Sequence, residues 1–193
     1  MSTRRDKLIE TAKDLFYKNG YRATGIDQIL AEAGVSKPTM YKYFRSKDEL
    51  IIASLKLWDA ELRQSMEKKL EESGGKPLDK LLKVFDLMKD WMESPKFNGC
   101  MAISASIEYP EKESPIHAEA ASQKNRLASY FEKLLSEAQI PGAHEVSEQI
   151  ILIVEGAVVN AHLNKNSRAA INAKQLVETL LASRTSFVAA ATA

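Results

Sequence analysis

Apolar residues recur at three- and four-residue intervals along nearly the whole chain, and no stretch alternates apolar with polar positions over the length of a strand. The pattern predicts an all-α fold. Leu8, Ala12, Leu15 and Phe16 make one face of α1 over 4–19, with Gly20 placed as its C-terminal stop. Thr24 is the expected N-cap of α2 over 25–33, with Asp27 three residues on, and Gly34 ends that helix. Ser36 caps a short α3 over 37–44, with Pro38 in the first turn, where a missing N–H costs nothing. Ser46-Lys47-Asp48-Glu49 reads as a capping box for a long α4, whose stripe of Leu50, Ile51, Leu55, Trp58, Leu62, Met66 and Leu70 runs to about residue 72.

Ser73-Gly74-Gly75-Lys76-Pro77 marks a turn. Beyond it the spacing predicts α5 over 78–93, α6 over 98–109, α7 over 116–139, α8 over 144–164, and α9 starting after Asn172 as its cap. The α9 stripe contains Leu176, Val177, Leu180, Leu181, Phe187 and Val188, and the Ala-rich end after it is expected to fray. These nine helices divide into a small domain, 1–46, and a larger one, 47–193, linked by the helix over 47–72.

Composition narrows the function. With 45% hydrophobic residues, Gly 8 and Pro 6, the chain has material for a core and too few breakers for a disordered or collagenous protein. The longest apolar run, Ile150 to Val154, stops at Glu155, far short of the ~20 residues of a membrane span. No apolar signal segment follows Met1, so a cytoplasmic protein is expected, without a membrane partner. A single cysteine, Cys100, leaves no internal disulfide. His117, His144 and His162 are too scattered to join it in a close-spaced metal site, so no metal or cofactor is expected. The chain lacks a glycine-rich phosphate loop, a Gly-x-Ser-x-Gly elbow and a His-Glu-x-x-His pair, which argues against an enzyme.

The net charge of +1 conceals an asymmetry: residues 1–54 carry ten Lys/Arg against seven Asp/Glu, and the excess reverses beyond them. A small basic reader on a near-neutral body averages out in this way. Within the basic part, Gly34-Val35-Ser36 joins two short helices as a helix-turn-helix. Lys37, Thr39, Tyr41, Lys42, Tyr43, Arg45 and Lys47 offer donors from and just after the second of them, while Met40 and Phe44, four apart, are expected to point inward. Such a helix suits phosphates and base edges.

Phe16-Tyr17-Lys18-Asn19-Gly20-Tyr21, Thr24, the run Ile29 to Phe44 and Ser46-Lys47-Asp48-Glu49-Leu50 together resemble the N-terminal domain of the TetR family of transcriptional regulators. The resemblance covers residues 4–55 in order and spacing. It implies a three-helix DNA-binding domain followed by a helical ligand-binding and dimerisation domain. By position it implies base contacts from Lys37, Thr39 and Lys42, phosphate contacts from Thr24, Tyr43 and Lys47, and either from Tyr41, with Ser36 opening the helix. It also implies a homodimer on a palindromic double-stranded operator, and repression relieved by a small, largely apolar effector.

For the effector, Phe85, Met88, Trp91, Met92, Cys100, Met101, Ser104, Glu108, Tyr130, Phe131 and Glu155 are the candidate lining, though Met and aromatic stripes such as these ordinarily mark core. Cys100, after Asn98-Gly99, reads either as an activated thiol at a helix start or as a small buried hydrophobe. For the dimer contact the candidates are Ile150, Val154, Ala157, Ala161, Leu176, Leu180 and Leu181, the alternative being a central helix buried within one subunit. A helical adaptor or architectural DNA binder without an effector is the remaining competing class.

Overall fold

The computed structural model describes residues 3–191, with side chains described through Arg184; Phe187, Val188 and the chain end fall outside those side chains. Among the described residues there are nine helices and no strand: α1 (Arg4–Asn19), α2 (Ile26–Ala33), α3 (Lys37–Tyr43), α4 (Lys47–Ser73), α5 (Pro77–Glu93), α6 (Met101–Glu108), α7 (Pro115–Glu137), α8 (Ala143–Asn164) and α9 (Arg168–Ala191). Besides shifts of one or two residues elsewhere, three helix starts differ from the pattern. Gly25, not Thr24, is the N-cap of α2. Gly99 adopts φ 83°, and α6 begins only after it. Asn172 lies inside α9, because Asn166 Oδ1 already accepts the Arg168 N–H at 2.9 Å and starts the helix earlier.

The chain forms two compact units, 1–64 with 100–123, and 65–99 with 124 onward. In the first, α1, α2 and α3 close around Leu8, Ala12, Phe16, Ile29, Ala33, Met40 and Phe44, and the start of α4 adds Leu50, Ile51 and Leu55. Thr3 and Asp6 form a reciprocal capping box that starts α1. At the corner, Gly34 holds φ 63°, ψ 37°, and its N–H returns to Ala31 and Leu30 carbonyls. A side chain there would be strained in this left-handed conformation.

In the second unit α5, α8 and α9 pack on one another. Leu81, Val84 and Phe85 of α5, Ile150, Val154, Ala157 and Ala161 of α8, and Val177 and Leu181 of α9 are buried. Five of the seven dimer candidates, Ile150, Val154, Ala157, Ala161 and Leu181, are therefore core of one subunit, where their burial contributes to folding. The outer face of α8 carries a different apolar set, Leu152, Val159 and Leu163, with Gly156 between them, and on α9 Leu176 is exposed and Leu180 half-buried. Helix α8 is long and apolar enough to cross a membrane by length and composition. Glu145, Glu148 and Glu155 interrupt it, and its other face is spent on this core.

On the surface of this unit His144 Nδ1 lies 3.3 Å from Glu132 on α7, and Nε2 lies 3.8 Å from Glu148. The hydrogen bond and charge of Glu132, aided by Glu148 and Glu145, raise the imidazole pKa above its ordinary 6.5. The bridge therefore contributes fully below that ordinary value and is lost as pH climbs through the raised one. A proton-resonance titration should place His144 above the unfolded value, and Glu132→Gln should bring it back; an unmoved midpoint in that variant would remove the bridge as the cause.

Candidate nucleic-acid interface

Helix α3 is short and held from beneath. Met40 and Phe44 are buried, and the Arg5 guanidinium stacks over the Phe44 ring at 5.3 Å. With those positions turned inward, Ser36, Lys37, Tyr41, Lys42 and Tyr43 are exposed and Thr39 half-buried. The Ser36 and Thr39 hydroxyls share a hydrogen bond of 2.8 Å rather than capping the helix. Lys37 Nζ lies 3.2 Å from Asp27 on α2; this exposed pair steadies the helix corner weakly, by about 0–1 kcal/mol. Lys42 has no ion-pair partner among the described residues and is available to an outside anion.

Immediately beyond, the Glu49 N–H donates to Ser46 Oγ at 3.2 Å, while the Glu49 carboxylate turns back to accept the Arg45 N–H at 2.8 Å. The capping box at the start of α4 thus closes one residue earlier than its usual form. Lys47 is half-buried, its Nζ 6.0 Å from the Phe16 ring centroid. Burial pushes its pKa down, and the negative charges of Glu108 and Asp48 act in the opposite direction.

The reader is anchored at the α1–α2 turn. Glu108 at the end of α6 accepts the N–H groups of Tyr21 at 2.9 Å and Arg22 at 2.7 Å. The buried Tyr21 hydroxyl donates to the Met101 carbonyl at 2.9 Å, and burial raises its pKa. Arg22 lies 5.4 Å from the Tyr109 ring centroid. No local pattern signals this clasp, because its partners are 80 or more residues apart.

Residues 8–53 match the family described as "Bacterial regulatory proteins, tetR family", and residues 77–177 match "Tetracyclin repressor-like, C-terminal domain". This chain belongs to the TetR family. It is a transcriptional regulator that binds DNA. Among curated relatives, the HTH-type transcriptional activator FasR of Mycolicibacterium smegmatis is 48% identical over 27% of this chain and 24% of its own length. The HTH-type transcriptional repressor NemR of Escherichia coli is 27% identical over 54% of this chain and 53% of its own. The matches thus span about a quarter to a half of those two proteins' lengths. A solved TetR-family transcriptional regulator from Streptomyces coelicolor superposes with a TM-score of 0.86 at 26% identity, covering 94% of this chain and 95% of that one.

Within this TetR-family chain, one expected contact residue is misplaced. Thr24 is buried, and its hydroxyl donates to the Gly20 carbonyl at 2.8 Å, so it cannot reach a phosphate. The effector candidates differ in exposure. Phe85, Met88, Met92, Cys100, Met101 and Phe131 are buried, whereas Trp91, Ser104 and Tyr130 are half-buried. Both charged candidates already have partners: Glu108 holds the α1–α2 turn, and Glu155 Oε1 lies 3.4 Å from Lys124. One groove in the first unit, of about 760 Å³, lies along Arg5, Ile9, Phe44 and Ile52, and another in the second, of about 510 Å³, lies along Lys124, Glu132, His144 and Ile151; none of the candidates lines either.

Proposed function

We propose that this regulator binds a palindromic operator as a homodimer, represses transcription there, and leaves the DNA when a small, largely apolar effector binds. The observation that carries the DNA reading is the division of α3: Met40 and Phe44 sealed inside, Lys42, Tyr41 and Tyr43 facing out. Lys37, Thr39 and Lys42 are assigned to base edges, with Ser36 at the helix start. Tyr43 and Lys47 are assigned to phosphates, and Tyr41 to either.

A single seven-residue helix offers too few contacts for high specificity, whereas a two-fold dimer reads half-sites roughly 34–36 Å apart. Repression is the family's default. Among its relatives FasR carries the name of an activator and NemR that of a repressor. The buried Met and aromatic side chains of α5 and α7 favour an apolar effector. In this reading α4 is the lever, since it starts at Lys47 beside the reader and continues to Ser73. The protein acts where the DNA is, in the cytoplasm.

The test compares two lysines. Lys42→Ala should weaken operator binding by about 1–3 kcal/mol and relax discrimination at one position of each half-site. Lys47→Ala should weaken all duplexes alike and shallow the salt dependence by about one unit of slope per site. Mobility-shift titrations across salt concentrations measure both, and equal, sequence-independent losses for the two variants would sink the assignment.

A further inference from the structure

The described residues bury five polar or charged side chains: Thr24, Ser54, Asp59, Gln123 and Ser147. Four of them are spent locally. The hydroxyls of Thr24, Ser54 and Ser147 donate to the carbonyls of Gly20, Leu50 and His144, and Asp59 pairs with Arg63 at 3.5 Å. Gln123 is the exception. It is 4% exposed, both Nε2 and Oε1 are sealed from solvent, and neither meets a hydrogen-bond partner among the described residues.

A buried polar group without a partner loses its hydrogen bonds to water and gains none in return, and an amide orphaned at both ends carries that cost twice. Gln123 also lies on the buried stripe of α7, three residues after Ala120 and seven after Ile116, where Leu or Met would fill the same space at no such cost. From this we infer that Gln123 is a ligand-recognition residue, and that its ligand is an uncharged compound bearing adjacent hydrogen-bond donor and acceptor groups, of the lactam, imide or carboxamide class.

The chemistry follows from the side chain. A primary amide presents an N–H and a C=O side by side, and a cis-amide satisfies both with two parallel hydrogen bonds. A ketone or ether satisfies only the donor. An anion has no use for Oε1 and would enter an apolar stripe, where desolvation opposes charge. The inference deepens the effector reading above and rests on it for its regulatory meaning: a largely apolar body, with this one polar edge, completes a site that is incomplete without it.

The test uses the nitrogen-labelled full chain titrated with δ-valerolactam, cyclohexanone and cyclohexane, which match in size and differ in donor and acceptor content. The lactam should move the Gln123 side-chain amide resonances and bind about tenfold or more tightly than the ketone, the factor expected of one additional buried hydrogen bond. Gln123→Leu should erase that preference while still admitting cyclohexane. Equal affinity of the three probes for the unaltered protein, or an unaltered lactam preference in Gln123→Leu, overturns the inference. So do Gln123 amide protons that exchange freely with water and ignore the lactam, a result needing no variant. Operator release is followed separately by fluorescence anisotropy. Release by the lactam with Gln123 unmoved overturns this inference and leaves the effector reading intact; lactam binding at Gln123 without release upholds it and counts against that reading.

Discussion

Replacing Leu152 and Leu163 together by Glu is expected to leave the protein monomeric at micromolar concentration and to lower operator affinity by about two to four orders of magnitude. The two side chains are 70% and 73% exposed, and with Gly156 and Val159 they occupy positions four, three and four residues apart along one face of α8. Water gains nothing from that face, and each Leu would contribute about 1.5–3 kcal/mol on burial against a second copy. Gly156 has no atom within 4 Å of the place its side chain would occupy, so it leaves an opening for a partner helix. Leu176 and Leu180 extend the apolar surface onto α9.

Carboxylates brought together across a two-fold axis repel and lose solvation, so the dimer loses twice at each position. Because neither Leu supports the subunit core, the variant should keep its helical signal. Ile107→Glu, at another exposed apolar residue in the first unit, should leave the oligomeric state unchanged. Analytical ultracentrifugation with anisotropy on operator DNA checks both statements. A double variant that still sediments as a dimer would move the interface elsewhere.

Glu108→Ala is expected to destabilise the first unit by about 3 kcal/mol and to weaken operator binding at the same time. The carboxylate accepts two main-chain N–H groups, those of Tyr21 and Arg22, and hydrogen bonds to a charged acceptor contribute about 1.5–3 kcal/mol each before partial exposure reduces them. Without it, the turn keeps the Tyr21 hydroxyl on the Met101 carbonyl and the Tyr109 ring against Tyr21 and Arg22. The loss also removes a negative charge that supports the Lys47 ammonium against its burial, so the lysine pKa should fall further.

Glu108→Gln keeps an acceptor and should recover part of the stability. Tyr21→Phe should cost about 0.5–1.5 kcal/mol by removing the hydroxyl's hydrogen bond to the Met101 carbonyl, and the two losses should not add, because both loosen one turn. Urea denaturation of the full chain with a reader-specific probe, alongside operator titration, gives both quantities. Unchanged stability in Glu108→Ala would show that α6 does not hold the reader.

The reader was legible in the sequence because its determinants are local. Gly20 and Gly34 end α1 and α2, Pro38 and Ser36 start α3, and Met40 and Phe44 turn inward by simple helical spacing. The capping box at Thr3 and Asp6 carried the same kind of signal, a Thr followed three residues on by an acid, and could have been found with it. Thr24 shows that residue type alone leaves a choice even between near neighbours. Its type and place before α2 suit a cap or a phosphate contact, and only the approach of the Gly20 carbonyl commits its hydroxyl inward.

By itself, then, the order of residues determined the nine helices of the described residues, the corner at Gly34 and the exposed basic face of α3, since each depends on neighbours within one or two turns. Tertiary structure alone decided which side of α8 closes the core and which remains outside, because an apolar run such as Ile150 to Val154 marks both sides alike. It also decided that Glu108 serves the reader and that Gln123 is left with an unanswered amide. Those outcomes depend on which distant groups fold against each side chain, and sequence spacing carries no record of that.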